Sequence, residues 1–216
     1  MGIDSLLERF VFYVPLLLSL TVHEWAHAWT ACRLGDDTAK LLGRVSLNPI
    51  DHIDPVGTVL LPLIGVPFGW AKPVPFNPTR FRATVHMGFG TMLVAVAGPI
   101  SNFLLGTLAI VLNSVWSRMA LDTTPEYYAI GRQLLELLIL INFLLALFNL
   151  LPIPPLDGSK IADYLMPRTL SPAWNRFCSF GPAALVAVIV IPMVTGRSIF
   201  STPMEWISTL IRVTAS

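Results

Sequence analysis

The apolar positions of this chain form long unbroken segments rather than the alternating pattern of a half-buried strand. Residues 83–117 contain no Lys, Arg, Asp or Glu, and residues 137–156 contain none either. Charge-free apolar segments of about 20 residues are typical of helices that cross a lipid bilayer. The pattern predicts a long first helix and three further spans, at residues 6–34, 87–116, 127–151 and 178–195.

Two other stretches are apolar but contain too many prolines and glycines for a straight helix. Residues 55–71 are uncharged and predict either a short crossing or a re-entrant segment, which a bilayer tolerates only against protein or a wet cavity. Residues 69–80 predict a membrane-embedded strand or hairpin, whose edge would be open to pairing with a substrate backbone. The amphipathic residues 199–214 predict a helix at the membrane interface.

The fold class predicted from these segments is an all-α polytopic membrane protein with about four to six transmembrane segments. We interpret residues 1–216 as one domain, with a core of residues 6–165 and accessory C-terminal helices within residues 177–214. The composition agrees, because 54% of the residues are hydrophobic and only 12% are charged. A net charge of +1 argues against a nucleic-acid partner. The two cysteines are isolated and predict no thiolate metal site.

The distribution of Lys and Arg between the loops predicts the orientation in the membrane. If residues 55–71 re-enter, residues 35–86 and 158–176 lie on the same side and carry most of the basic residues of the loops. We expect this side to be cytoplasmic. The end of the first helix and the residues around Asp157 then lie at the same, cytoplasmic face of the membrane.

One polar motif lies within the first apolar segment, the sequence His23-Glu24-Trp25-Ala26-His27. Side chains four residues apart on a helix emerge on the same face, so the two imidazoles are placed to bind one zinc ion. Glu24 follows the first of them directly and is placed to act as general base on a water molecule. The alternative interpretation is a hydrogen-bonded histidine pair in a helical core, with Glu24 as a surface charge.

A catalytic zinc ion normally has three protein ligands and an open position for water. The chain contains four histidines, so the third ligand is either one of the two outside the motif or a carboxylate. Asp157 is the strongest candidate, because it follows a proline-rich turn at a helix end, precedes Gly158 and lies on the same side of the membrane as the motif. The alternative role for Asp157 is an ordinary turn or N-cap aspartate before residues 159–166.

These motifs resemble those of the site-2 protease family of intramembrane zinc metalloproteases, in its compact bacterial branch without PDZ or CBS domains. The resemblance lies in the histidine motif of the first helix combined with the stretch from Asn149 to Gly158. It implies that one zinc ion per chain is bound by His23, His27 and Asp157, and that Glu24 is the catalytic base. It further implies that Asn149 lies near the active site and that residues 69–78 contact or gate the substrate.

Other polar residues in apolar surroundings are also candidates, because such residues are costly in a membrane and tend to be functional. Asn149 and Asn102 are predicted to contact substrate or to stabilise an oxyanion, the alternative for each being a structural hydrogen bond. For Asn142 we favour an interhelical hydrogen bond. His52 is a candidate gate or supporting group of the site, and the simpler interpretation is an interfacial loop histidine.

The sequence therefore predicts a zinc-dependent intramembrane endopeptidase that hydrolyses peptide bonds within or next to transmembrane segments. Its expected partners are transmembrane protein or peptide substrates and the lipid bilayer. A membrane-anchored protease of soluble loops would carry the motif in a polar region. A zinc transporter would repeat ligands on several spans. A catalytically inactive zinc-binding scaffold is disfavoured because Glu24 and all three candidate ligands are present.

Overall fold

The computed structural model describes residues 3–60, 69–118, 125–196 and 200–214, and these residues contain helices and loops but no strand. The long α-helices at the start and in the middle of the chain occur where the apolar segments predict them, and several shorter helices lie between and after them. The α-helices are α1 (Ile3–Leu34), α2 (Thr38–Leu41), α3 (Met87–Arg118), α4 (Pro125–Asn149), α5 (Asp157–Leu165), α6 (Ser171–Ser179), α7 (Gly181–Thr195) and α8 (Ser201–Thr214). Short 3-10 turns at Pro49–His52 and Pro78–Arg80 and a π-helical turn at Pro55–Leu60 complete the regular structure of this part of the chain.

Two of the described helices are long and apolar enough to cross a membrane, α3 and the Tyr127–Asn149 part of α4. A third candidate span exists if α6 and the Gly181–Pro192 part of α7 are taken together, although they meet at an angle of 61°. The prediction of a polytopic all-helical membrane protein is thus confirmed for two to three spans. Helix α1 forms as predicted but is not among these candidates, and residues 61–68, which decide whether 55–71 crosses, lie outside the described residues.

The predicted strand or hairpin at residues 69–80 does not form. Residues 69–77 are irregular, and Pro78–Arg80 is a 3-10 turn. The physical reason lies in the prolines of this stretch, because Pro73, Pro75 and Pro78 have no backbone N–H to donate to a strand ladder.

The core of the fold is formed by α1, α3 and α4, each of which packs against the other two. Leu16 and Leu20 of α1 contact Ile141 of α4 in one buried cluster. Further along α1, Ala31 is buried against Val94 of α3. The C-terminal helix α8 packs on α3 and α4, where Ile207 is buried against Ala109 and Ile139.

The loop that precedes α3 is fixed to the end of α1 by Asp36. Its carboxylate accepts hydrogen bonds from the Asn77 N–H (2.5 Å) and from the N–H and hydroxyl of Thr38. Burial acts to raise the pKa of Asp36, but these hydrogen bonds and the charge of Arg80 hold the pKa below its ordinary value. The ionised carboxylate therefore keeps residues 72–77 beside the histidine motif.

Candidate metal centre

The histidine motif lies in the second half of α1, on the side of the helix that faces α3. His23 and His27 are 5% and 8% exposed, and their Nε2 atoms are 3.0 Å apart. The rings meet edge to face with their centroids 4.6 Å apart. Two imidazole nitrogens therefore point at one place, as the four-residue spacing predicts.

Asp157 is the first residue of α5, and the fold brings it to this pair. Its Oδ2 atom lies 3.3 Å from Nε2 of His23 and 3.1 Å from Nε2 of His27, and the residue is 6% exposed. In the part of the chain that the structure describes, these three residues form the one group of three or more metal-ligating side chains. The predicted juxtaposition of Asp157 with the motif is present.

The donor set and its spacing suit zinc. Ligand atoms about 2.0 Å from a tetrahedral zinc ion are about 3.3 Å from one another. The three distances between Nε2 of His23, Nε2 of His27 and Oδ2 of Asp157 are 3.0, 3.1 and 3.3 Å. Two nitrogens and one carboxylate oxygen also match the ligand types of catalytic zinc sites, which leave one position open.

The second oxygen of Asp157 is bound by Lys160, one helical turn further on α5. The distance from Lys160 Nζ to Asp157 Oδ1 is 3.1 Å, and the same ammonium lies 5.8 Å from the centre of the Phe76 ring. Lys160 thereby leaves one carboxylate oxygen of Asp157 facing the histidines. Gly158 is required beside it, because a Cβ atom there would collide with the carbonyl group of Leu150.

Glu24 is on α1, between the two histidines in sequence, and its Oε2 atom accepts a hydrogen bond from the Val74 N–H (2.9 Å). Hydrogen bonds with Arg44 and His52 also hold the segment around Val74 in place. Arg44 donates to the Lys72 carbonyl (2.9 Å), and the Lys72 N–H donates to the carbonyl of His52 (2.9 Å). The candidate base is therefore held in a defined position by a segment that is itself anchored.

The asparagines predicted to contact substrate differ in their surroundings. Asn102 is fully buried beside the metal group, with its Oδ1 atom 2.6 Å from His23 Nδ1, and both hydrogens of its amide are used in other hydrogen bonds. It has no free donor for an oxyanion. Asn149 lies at the end of α4, where its amide donates to the Leu145 carbonyl (3.0 Å).

His52 does not belong to the group of three. It is buried in the 3-10 turn, with its Nε2 atom 2.8 Å from the Ser46 carbonyl, and its Nδ1 atom has no hydrogen-bond partner in the described part of the chain. Its connection to the site runs through its carbonyl group, which holds Lys72.

A contact that the sequence does not reveal is the close approach of Gly98 of α3 to the histidine pair. A Cβ atom at this position would collide with Nε2 of His27 and lie 2.6 Å from Cε1 of His23. The lack of a side chain lets α3 close the site, and it lets the Val94 carbonyl reach His27 Nδ1 (2.7 Å). Since a carbonyl only accepts, His27 carries its proton on Nδ1 and offers a lone pair at Nε2.

We expect Gly98→Ala to weaken zinc binding by about 10- to 100-fold, the loss typical when a metal-ligating histidine loses its orientation. The added methyl group must displace two rings that hydrogen bonds hold in place. Gly106→Ala is the matched control, because Gly106 is on the same helix as Gly98 and its Cβ would lie 3.0 Å from the ring of Phe143 on α4. Both substitutions favour the helix intrinsically. Equal zinc affinities of the two variants, measured by chelator competition, would contradict the role of Gly98.

Comparison with known proteins decides the family. YwhC of Bacillus subtilis (strain 168) is 36% identical to this chain over 196 residues, which is 87% of each protein. The chain belongs to peptidase family M50. The sequence profile of this family matches residues 125–191, which include α4 and Asp157. The predicted membership of the site-2 protease family is thereby confirmed.

Other M50 relatives are longer than this chain. Rip2 of Mycolicibacterium smegmatis is 31% identical over 180 residues, which is 82% of this chain and 65% of Rip2. MJ0392 of Methanocaldococcus jannaschii is 24% identical over 158 residues, 73% of this chain and 35% of MJ0392. The names of all three relatives include the words zinc metalloprotease, and the chain is a zinc metalloprotease of the M50 family. No solved structure matches the chain.

Proposed function

We propose that this M50 protein is an intramembrane endopeptidase that hydrolyses peptide bonds within or next to transmembrane segments of membrane proteins. The observation that carries the proposal is the position of the group formed by His23, His27 and Asp157. These ligand atoms are buried where α1 packs against the candidate spans α3 and α4. Burying polar groups in such surroundings costs free energy, and polar groups found there tend to be functional.

His23, His27 and Asp157 would hold one zinc ion through the atoms that already converge. When bound, zinc polarises a peptide carbonyl and lowers the pKa of water. The protein itself moves the proton. The Glu24 carboxylate takes a proton from the attacking water and delivers it to the nitrogen of the leaving amine, so the elements of water are added across the broken C–N bond.

The substrate has to be locally unwound at the cleaved bond, because the carbonyls of a transmembrane helix are hydrogen-bonded and shielded by side chains. Residues 72–74 lie beside Glu24, and hydrogen bonds with Arg44 and His52 anchor them there. Pro73 and Pro75 have no N–H, and the Val74 N–H is bound to Glu24. The segment therefore has few free N–H groups for pairing with a substrate as a full strand.

We further propose that the protein lies in a bacterial inner membrane, with the metal group open toward the cytoplasm. The basic residues of the loops supply its support, since residues 35–86 carry five of them and residues 158–176 carry three, at Lys40, Arg44, Lys72, Arg80, Arg82, Lys160, Arg168 and Arg176. Water would then reach the metal group from that side.

The test is a cleavage assay with the full chain in liposomes and two substrates that share one scissile sequence. In the first substrate this sequence lies within a single membrane span, and in the second it lies in a soluble loop. We expect cleavage of the first, a loss of about 100-fold or more after zinc is removed by a chelator, and recovery when zinc is added back. Exclusive cleavage of the loop substrate, or full activity without metal, would overturn the proposal.

A further inference from the structure

A group of buried polar side chains lies directly behind the metal group, between α1, α3 and α4. It consists of Ser19, Asn102 and Asn142, one from each helix, and all three are 0% exposed. Asn102 touches His23, and Asn142 touches Asn102 on the far side from the metal group. We call these three residues the amide network.

The hydrogen bonds of the amide network fix the orientation of both side-chain amides. Asn142 donates from Nδ2 to the Leu138 carbonyl (2.8 Å) and to the Ser19 hydroxyl (2.8 Å). The Ser19 hydroxyl in turn donates to the Pro15 carbonyl (2.6 Å). Asn102 donates from Nδ2 to the Ser19 carbonyl (3.1 Å) and to Oδ1 of Asn142 (2.7 Å). Each amide hydrogen of both asparagines thus has an acceptor.

This arrangement determines which nitrogen of His23 carries the proton. Turning either amide over would place its oxygen against a backbone carbonyl, of Ser19 or of Leu138, neither of which can donate. The Oδ1 atom of Asn102 therefore faces His23 Nδ1, at 2.6 Å, and can only accept. The proton of a neutral His23 is on Nδ1, and the lone pair of Nε2 points to His27 and Asp157.

We propose that Asn102, held by Ser19 and Asn142, is a positioning residue that presents Nε2 of His23 to the metal. This proposal rests on the proposed function, since it assigns the amide network a role in zinc binding. The network acts through His23 and touches neither substrate nor the metal. Partners that bind the outer nitrogen of a metal-ligating histidine typically account for a factor of about 10 to 100 in metal affinity.

The same helix supplies a matched control in Asn113. It is 1% exposed, lies 11 residues after Asn102 on α3, and its two side-chain polar atoms have no hydrogen-bond partner among the residues that the structure describes. Replacing either asparagine with leucine exchanges a buried amide for an apolar group of similar size. Asn102→Leu loses the hydrogen bond to His23 together with those to Ser19 and Asn142, whereas Asn113→Leu loses none.

The experiment measures zinc affinity by chelator competition, and thermal unfolding of the zinc-free protein, for the full chain in detergent. We expect Asn102→Leu to bind zinc about 10- to 100-fold more weakly than the wild type, and Asn113→Leu to bind it within about threefold of the wild type. Asn102→Asp keeps an acceptor for His23 but loses both donors. It should bind zinc more tightly than Asn102→Leu although its zinc-free form unfolds at a lower temperature, because a buried carboxylate is costly.

The two Asn102 variants are thus expected to rank in opposite orders for zinc affinity and for unfolding temperature. If Asn102 only supported the fold, the aspartate variant would have both the lower zinc affinity and the lower unfolding temperature. Zinc affinity of Asn102→Leu within threefold of the wild type would overturn the proposal, and so would weaker binding by Asn102→Asp than by Asn102→Leu. Failure of the wild type to bind zinc would instead overturn the proposed function.

If the Asn102 variants do not fold, the zinc affinity of Ser19→Ala tests the proposal. It deletes one hydroxyl without adding bulk and leaves an amide hydrogen of Asn142 without its acceptor. We expect zinc binding to weaken by about three- to tenfold, less than for Asn102, because the effect reaches His23 through two further contacts. Unchanged affinity in Ser19→Ala would show that the amide network does not position His23.

Discussion

The Glu24→Gln variant is expected to cleave substrate about 10²- to 10⁴-fold more slowly than the wild type while it keeps its zinc. Glutamine has the shape of glutamate and can still contact the Val74 N–H through its amide oxygen, so the segment beside it should stay in place. It cannot take a proton from water. Single-turnover cleavage of a membrane-inserted substrate, together with the zinc content of the purified protein, measures both expectations.

Asp37 supplies the control for Glu24→Gln. It is an acidic residue just after α1, outside the metal group, and Asp37→Asn removes a carboxylate charge of the same sign. This variant should cleave substrate at close to the wild-type rate. Cleavage by Glu24→Gln at an undiminished rate would show that another group takes the proton, and loss of zinc from it would show that Glu24 helps to hold the metal.

Asp157→Ala is expected to lose zinc and, with it, all measurable cleavage. The substitution removes one of three converging ligand atoms from a site in which the other two are imidazole nitrogens. It also takes away the carboxylate that balances the metal charge in a buried place. Zinc content after dialysis against a weak chelator is the direct measurement, and we expect binding to fall by about 100-fold or more.

Asp163→Ala is the matched control for this substitution, because Asp163 lies on the same helix and its carboxylate accepts a hydrogen bond from Trp174 on α6. We expect it to bind one zinc ion per chain with unchanged affinity. Full zinc stoichiometry in Asp157→Ala would remove Asp157 from the ligand set and direct the search for the third ligand elsewhere.

The helices could be predicted from the sequence because the membrane imposes a simple rule, a long stretch without charge. The predicted span at residues 87–116 is observed as Met87–Arg118, and that at 127–151 as Pro125–Asn149. The predicted span at 178–195 is only partly correct. The chain bends by 61° between α6 and α7, where Gly181 and Pro182 follow each other, and hydropathy averaged over a window does not register a bend.

The convergence of His23, His27 and Asp157 could also be predicted, since helical spacing fixes the first two and the loop charges place the third at the same face. Their roles, like that of Glu24, stay predictions. The contacts of Gly98 and the Val94 carbonyl with the histidine pair could not be found in this way. Both depend on how closely α1 and α3 approach and at which residue they cross, and a charge or hydropathy pattern contains neither. The contact of Lys160 with Asp157, by contrast, is one that the spacing of three residues on a helix permits.

Asn102 illustrates the limit most clearly. Its position as a polar residue in an apolar helix indicates that it matters, but an amide can serve a substrate or a neighbouring side chain equally well. Only the direction of the amide distinguishes the two. That direction is set by backbone carbonyls on α1 and α4, which are invisible in a one-letter sequence.

The division of the metal group between α1 and α5 has a consequence for the biosynthesis of the protein. Residues 23 and 157 are separated by 134 positions, the difference of the two residue numbers. A ribosome that is still translating α4 has already synthesised the histidine pair but not the aspartate. The nascent chain therefore contains two of the three ligands until residue 157 has been added. A complete zinc site, and peptide hydrolysis by it, can arise only after that point of translation.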